Sequence, residues 1–224
     1  MLNNLSETLT LLKKDVTLEW RNRYAFNGLA LYLVSTIFIC YLSFNLKQNQ
    51  LNPITWNVLF WVIMLFTILN AASKSFMQEG QARTLYYYTI ASPRSVIFSK
   101  IIYNTILGLL LSFIGFVFYC FVMGNPVQDI YLFLLNIFLA SCGFSSSLTM
   151  ISNIAAKANN NTTLMAILSF PVIIPMLLVV IKISQNALDG LDWSASDSFL
   201  LVLIAINLIV IGLSYILFPY LWRS

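Results

Sequence analysis

Histidine is absent from this chain of 224 residues, and only 9% of the residues carry a charge. The commonest metal ligand and the commonest general base are therefore missing. The cysteines stand singly in apolar runs, so neither a zinc site nor a redox dithiol is indicated; they are Cys40, Cys120 and Cys142. No phosphate-binding loop of the form GxxxxGK[ST] occurs. The sequence therefore does not indicate an enzyme or a phosphate-binding loop for a nucleotide.

Apolar sequence is abundant, since 59% of the residues are hydrophobic. A soluble domain of this length would carry far more charge. A membrane-spanning helix needs about 20 apolar residues. Six segments qualify, at about 25–44, 54–72, 97–123, 130–154, 163–183 and 198–221. The sequence therefore predicts an all-α membrane protein with six transmembrane helices, forming a single transmembrane domain over residues 1–224.

The basic residues are distributed unequally between the two sides that these spans define. One side holds ten of them: Lys13, Lys14, Arg21, Arg23, Lys74, Arg83, Arg94, Lys100, Lys157 and Arg223. The other side holds Lys47 and Lys182. Because basic residues favour the cytoplasmic side, we predict a multi-pass membrane protein with both termini in the cytoplasm. No basic run typical of nucleic-acid binding occurs, so no nucleic-acid partner is expected.

Residues 5–24 are amphipathic and precede the first span. Leucine, valine and aromatic residues recur at three- and four-residue spacing, which predicts one apolar face of a helix; they are Leu5, Leu9, Leu12, Val16, Trp20 and Tyr24. We expect this helix to lie in the cytoplasmic membrane interface, with Trp20 and Arg23 as anchors. Glu19 and Arg23 are four residues apart and can form an ion pair. The alternative is a loosely ordered charged leader.

Residues 78–95 interrupt the apolar sequence between the second and third spans. An apolar helical face is indicated by Ala82, Leu85, Tyr86, Thr89 and Ile90. Ser92 is a candidate N-cap, with Pro93 at the first position of a helix that runs to about residue 123. At 1.5 Å per residue this helix is roughly 46 Å long, so we expect it to project into the cytoplasm. Residues 78–95 either rest on the lipid surface or dock a cytoplasmic protein, for which tyrosine is well suited.

The fifth predicted span contains Pro171 and Pro175, where we expect a helix kink. Asparagines occur within the spans, and interhelical hydrogen bonding is their simplest role; they are Asn70, Asn104, Asn136, Asn153 and Asn207. Small residues at Gly108, Ser112, Gly115 and in the run 140–147 favour close helix packing. The spans contain almost no ionisable residues, so we expect the energy for any transport to come from a partner.

Two stretches carry a family resemblance: LLKKDVTLEWRNRYAFNGLALYLVSTIFICYLSF and EGQARTLYYYTIASPRSVIFSKIIYN. They resemble the haem exporter protein B family of the cytochrome c maturation system. The resemblance implies an ABC-2-type membrane subunit that works with an ATPase subunit and a haem-handling membrane protein. It also implies that residues 78–95 form a coupling helix that rests on the ATPase. Candidate docking residues are Glu79, Gly80, Arg83, Tyr87, Pro93 and Arg94.

The resemblance further implies that the complex exports haem or releases a haem-loaded chaperone. We predict no bound cofactor and assign no haem ligand, because the chain has no histidine; haem is a possible substrate of the complex. Since six spans are half of a usual ABC transporter, we expect a homodimer with two ATPase subunits. Two alternatives remain open: a generic ABC-2 exporter of lipid, glycan or drug, and a scaffold that transports nothing.

Overall fold

The structure is a computed structural model that describes residues 2–22, 24–45, 51–77, 92–157 and 162–223. Within these ranges it contains α-helices and one short 3-10 helix, and no β-strand. The α-helices are α1 (Leu2–Asn22), α2 (Tyr24–Asn45), α3 (Pro53–Met77), α4 (Pro93–Met123), α5 (Ile130–Lys157), α6 (Thr162–Leu188) and α7 (Asp197–Arg223), and the 3-10 helix spans Trp193–Ala195.

Six of the described helices, α2 to α7, are long and apolar enough to cross a membrane, which confirms the predicted all-α, six-span fold. Their bounds agree with the prediction within a few residues, and the largest differences are at the ends of α3 and α6. Each of these helices continues five residues beyond the predicted span, to Met77 and Leu188. The added part of α6 includes the buried Ser184: Trp61 Nε1 donates to Ser184 Oγ over 2.6 Å, and Asn136 Nδ2 donates over 2.7 Å.

Helix α5 lies at the centre of the bundle and packs against α3, α4, α6 and α7. Its small residues permit this. A Cβ atom at Gly143 would overlap the side chains of Met176 and Asn207, and one at Gly108 would lie 2.7 Å from Ser145 Oγ. The predicted close packing of the third and fourth spans is confirmed.

An aromatic cluster joins α3, α4 and α5 near the ends that the charge distribution places outside. The ring centroids of Trp56 and Tyr119 are 4.8 Å apart, and those of Phe60 and Phe133 are 5.5 Å apart. Tyr119 Oη donates to the Trp56 carbonyl over 3.0 Å, and Trp56 Nε1 donates to the Gly124 carbonyl over 3.1 Å. The Tyr119 hydroxyl and the Trp56 indole N–H therefore both have hydrogen-bond partners, as is usual for buried tyrosine and tryptophan.

Three of the five asparagines named above connect neighbouring spans, as predicted, whereas the buried Nδ2 of Asn153 has no hydrogen-bond partner among the described residues. Asn104 Nδ2 donates to Thr149 Oγ1 over 2.8 Å, which links α4 to α5. Asn136 Nδ2 donates to the Val180 carbonyl over 2.8 Å and thus links α5 to α6. Asn207 Nδ2 donates to the Leu139 carbonyl over 3.0 Å, which links α7 to α5. Such bonds hold spanning helices together where lipid offers no polar partner.

Two predictions about helix shape have different outcomes. Helix α6 continues through Pro171 and Pro175 without a break, so a bend that leaves the helix intact stays a prediction. Helix α4 begins at Pro93 as predicted. Its first turn lies beside Tyr215 of α7, and α7 continues for two further turns after Tyr215. The start of α4 therefore does not project beyond the end of α7. Helix length alone does not fix depth, because a long helix can tilt.

Candidate functional site

The candidate site is the contact between α1 and the first three turns of α4, directly after residues 78–91. Three carboxylates on α1 meet three residues at the start of α4: Glu7 bonds Ser92, Asp15 pairs with Lys100, and Glu19 lies beside the Tyr103 side chain. The partners are 85, 85 and 84 residues apart in the sequence. Because both members of each pair advance together, α1 and α4 run side by side in the same direction. We call this contact the α1–α4 seam.

The first pair in the seam fixes the start of α4. Ser92 Oγ donates to Glu7 Oε2 over 2.9 Å, and the Ser92 amide donates to the same oxygen over 3.4 Å. Ser92 has extended backbone angles and its Oγ accepts from the Ser95 amide over 3.4 Å, so it is the N-cap of α4 as predicted. These donors lower the pKa of Glu7 below its usual 4.5, chiefly through the Ser92 hydroxyl. Glu7 is therefore ionised at neutral pH and bonded to Ser92, the residue that directly follows residues 78–91.

The second pair is a buried ion pair. Asp15 Oδ2 lies 3.5 Å from Lys100 Nζ, and both side chains are only 7% exposed. Asp15 Oδ1 also lies 2.9 Å from Nζ of Lys14, whose side chain is 31% exposed. Removing either member of a buried ion pair is costly, because the remaining charge loses a close counter-charge away from water. The pair therefore specifies how α1 sits on α4.

Helix α2 carries the same alignment into the spanning part of the bundle. Leu29 packs in one cluster with Leu111 of α4. Further along, a Cβ atom at Gly115 of α4 would lie 3.0 Å from Leu33 Cδ1. Helices α1 and α2 therefore follow α4 from Ser92 to Gly115. A displacement of Ser92 has a direct packing route into both α2 and α4.

Two residues of the predicted apolar stripe of α1 lie outside the seam. Leu9 is 64% exposed and Val16 is 45% exposed. At about 100° per residue, they lie roughly a quarter turn from the face that carries Asp15. These two side chains are open towards the surroundings, as a helix in contact with lipid requires.

The structure brings together only some of the residues predicted for docking and anchoring. Pro93 occupies the first position of α4, and the Arg94 guanidinium carbon lies 4.8 Å from the Tyr215 ring centroid. The backbone of Trp20 lies in α1, and Glu19 contacts Tyr103. The Trp20 side chain lies outside the described part of the chain. So do the remaining predicted residues, which are Arg23, Glu79, Gly80, Arg83 and Tyr87.

Sequence reasoning did not find the residues that form the seam. Lys100 counted only towards the charge bias, and Asp15 had no assigned role. One signal was present, because Glu7, Asp15 and Glu19 fall on one side of the helix at 3.6 residues per turn. Acidic residues clustered on one side of an otherwise basic amphipathic helix indicate a partner for that side. The identity of the partner was not available from spacing, since it lies 85 residues away.

The comparisons with curated proteins and with solved structures give no match for this chain. A protein-family model does match, over residues 6–217, and its description is CcmB protein. The matched range starts beside Glu7 and ends in the last turns of α7, so it includes both sides of the α1–α4 seam. The chain therefore belongs to the CcmB family, the membrane subunits of an ABC-type haem-export system in cytochrome c maturation.

Proposed function

We propose that this chain couples ATP hydrolysis in a partner ATPase chain to haem export, or to the release of a haem-loaded chaperone, during cytochrome c maturation. The family match supports the system, and the lack of a phosphate-binding loop in the sequence supports a separate ATPase. The spans offer few ionisable groups of the kind on which proton-coupled or sodium-coupled transport depends. The energy then has to enter from the cytoplasmic side.

The entry point is residues 78–91, which connect α3 to α4. The observation that carries this proposal is the bond from Ser92 to Glu7, because it ties the end of that segment to α1. A push on residues 78–91 acts on α4 through its N-cap and on α2 through α1. Coupling by this route moves two spans together, which suits a subunit that has to change the packing of its bundle.

Within the segment, we propose that Arg83 and Tyr87 contact the ATPase, since residues four apart share a face of the helix that the sequence predicts here. Glu79 and Gly80 begin the segment, and Pro93 and Arg94 follow it. Arginine and tyrosine are typical hot-spot residues, and truncating one often costs about 2 kcal/mol of binding free energy. The other residues of this docking surface then contribute shape complementarity and little binding free energy.

The test compares Arg83→Glu and Tyr87→Ala with Lys182→Gln, an exposed lysine near the opposite end of the bundle. We expect all three variants to reach the membrane at normal levels, because the six spans hold the protein there. Recovery of the ATPase with the two docking variants should fall about thirtyfold, and cytochrome c maturation should fall with it. The Lys182 variant should behave as the unmodified protein does.

Normal ATPase recovery and normal maturation in both docking variants would mean that residues 78–91 lie on the lipid surface. Glu79→Gln adds a finer test, since it removes the charge and keeps the shape. A strong coupling defect there would indicate an ion pair with the ATPase, and a mild one would indicate only a helix-capping role.

We further propose two copies of this chain with two ATPase copies, in contact with a haem-handling membrane protein, in the bacterial inner membrane. Closed two-fold symmetry is the commonest arrangement of oligomers. Native mass spectrometry of the gently solubilised complex gives the copy number directly. One copy of this chain for each ATPase dimer would contradict the homodimer.

A further inference from the structure

A cavity of about 290 Å³ lies between the first turn of α4 and the last turns of α7. It is lined by Arg94, Tyr215, Ile216, Pro219 and Tyr220. Apart from the partly buried Pro219, these residues are exposed, so the cavity opens onto the outer surface of the bundle. One cation, two phenol rings and apolar carbon are therefore gathered in one place. This combination does not resemble a helix face that meets only acyl chains.

The arginine in this cavity is positioned by aromatic rings. The Arg94 guanidinium carbon lies 4.8 Å from the Tyr215 ring centroid. The same ring meets Phe98 edge-on at a centroid distance of 5.6 Å. Stacking occupies the face of a guanidinium and leaves its N–H groups available at the edge. Those N–H groups match the oxygens of a phosphate, which arginine binds through two parallel hydrogen bonds.

The position of the cavity along α7 is compatible with the level of lipid headgroups. Tyr215 follows the first residue of α7, Asp197, by 18 residues. At 1.5 Å per residue, this distance is about 27 Å along the helix. The hydrocarbon core of a bilayer is about 30 Å thick. A helix that starts at one membrane surface at Asp197 and crosses with little tilt brings Tyr215 close to the other surface.

Pro219 leaves a backbone acceptor without its usual donor. A proline inside a helix has no N–H group, so the carbonyl four residues earlier loses its helical donor. Here that carbonyl belongs to Tyr215, which is one of the residues that line the cavity. We therefore take this carbonyl as the candidate acceptor for an ammonium or hydroxyl group bound in the cavity.

We propose that this cavity binds the headgroup of a glycerophospholipid from the leaflet on the side of the chain termini. The phosphate lies on the edge of Arg94, and the ammonium or hydroxyl group of the headgroup donates to the Tyr215 carbonyl. The acyl chains lie along the exposed apolar face of α7, which includes Ile216 and Leu213. Phosphatidylglycerol and phosphatidylethanolamine satisfy both polar contacts, whereas phosphatidylcholine lacks the second donor. Inorganic phosphate satisfies only the first contact.

The test uses the purified full chain in detergent, with bound lipid counted by native mass spectrometry during titration with each of these three phospholipids. Competing inorganic phosphate is added in a parallel arm. We expect phosphatidylglycerol to bind the unmodified chain more tightly than phosphatidylcholine does, and inorganic phosphate at millimolar concentration not to displace it. Arg94→Gln should weaken phosphatidylglycerol binding about tenfold, as expected for loss of a charge-assisted hydrogen bond. Lys182→Gln, which removes an exposed lysine near the other end, should leave it unchanged.

Pro219→Ala separates the two contacts, because it restores the N–H group that the Tyr215 carbonyl lacks. This variant should lose the preference for phosphatidylethanolamine over phosphatidylcholine, which have the same net charge, while it keeps the phosphate contact. Equal binding by Arg94→Gln and the unmodified chain would overturn the proposal. Displacement by inorganic phosphate would mean a free-phosphate site instead. Loss of ATPase recovery in Arg94→Gln with unchanged lipid binding would return Arg94 to the ATPase docking surface.

Discussion

The carboxylate of Asp15 on α1 and the ammonium of Lys100 on α4 lie 3.5 Å apart with only 7% of each side chain exposed. Asp15→Asn should therefore remove a counter-charge from the buried Lys100 ammonium and lower the free energy of unfolding by about 3 kcal/mol. Chemical denaturation of the protein in detergent measures this change. The control is Lys13→Gln, because Lys13 is an exposed cation on the same helix and its loss should have little effect.

A double variant checks that the effect comes from the pair itself. Asp15→Asn with Lys100→Met removes both charges and should recover most of the lost stability, because no buried charge remains. If the double variant were as unstable as the sum of two independent losses, the two residues would not be coupled.

The attachment of α1 to Ser92 should depend on pH through Glu7. Hydrogen bonds from Ser92 hold the pKa of Glu7 below 4.5 in the folded protein. A carboxylate with a depressed pKa stabilises the fold above its unfolded-state pKa and loses this contribution as the pH falls through its folded-state value. Amide protection of residues 6–12, corrected for intrinsic exchange, should therefore be constant at neutral pH and decrease below about pH 4.5. Glu7→Gln should reduce protection at neutral pH and remove this decrease.

The close packing around Gly143 makes it intolerant of a side chain. Gly143→Ala places a methyl group against Met176 and Asn207, and overpacking of this kind costs about 1–3 kcal/mol. Gly212 on α7 has nothing within 4 Å of an added Cβ, so Gly212→Ala should leave stability unchanged or raise it. Thermal unfolding of the two variants in detergent gives the comparison. Equal melting temperatures would contradict the packing of α5 against α6 and α7.

The topology follows from accessibility of single cysteines in a variant that lacks Cys40, Cys120 and Cys142. A cysteine at the exposed position Ser194 should react with an impermeant thiol reagent once the outer membrane is permeabilised, and one at exposed Thr17 should not. Asn186 is a poor reporter because it is buried and donates to Ser196 Oγ over 2.9 Å. The reverse labelling pattern would place the α1–α4 seam outside and exclude ATPase docking there.

The spans and the N-cap of α4 were predictable because each depends on local sequence. A run of about 20 apolar residues is visible in the chain itself, and Ser92 followed by Pro93 is a local helix-start pattern. The interhelical role of asparagine was also predictable, since a polar side chain inside a span needs a partner.

The partners themselves were not predictable, because they depend on how the helices assemble. Nothing in the sequence near Asn104 points to Thr149, and nothing near Asp15 points to Lys100. The same holds for depth: the length of α4 suggested a projection, whereas its contact with Tyr215 places its first turn beside α7. Such contacts have to be read from the folded chain.

The separation of 85 residues between Glu7 and Ser92 has a consequence for biosynthesis. Chains are made from the N-terminus at about 5–20 residues per second, so α1 waits roughly 4–17 s before its partner on α4 has been made. During that time α2 and α3 enter the membrane while the acidic side of α1 stays in contact with water. Nascent chains halted before residue 92 should therefore carry an α1 that a cytoplasmic protease cleaves readily, and chains released after the third span should be protected.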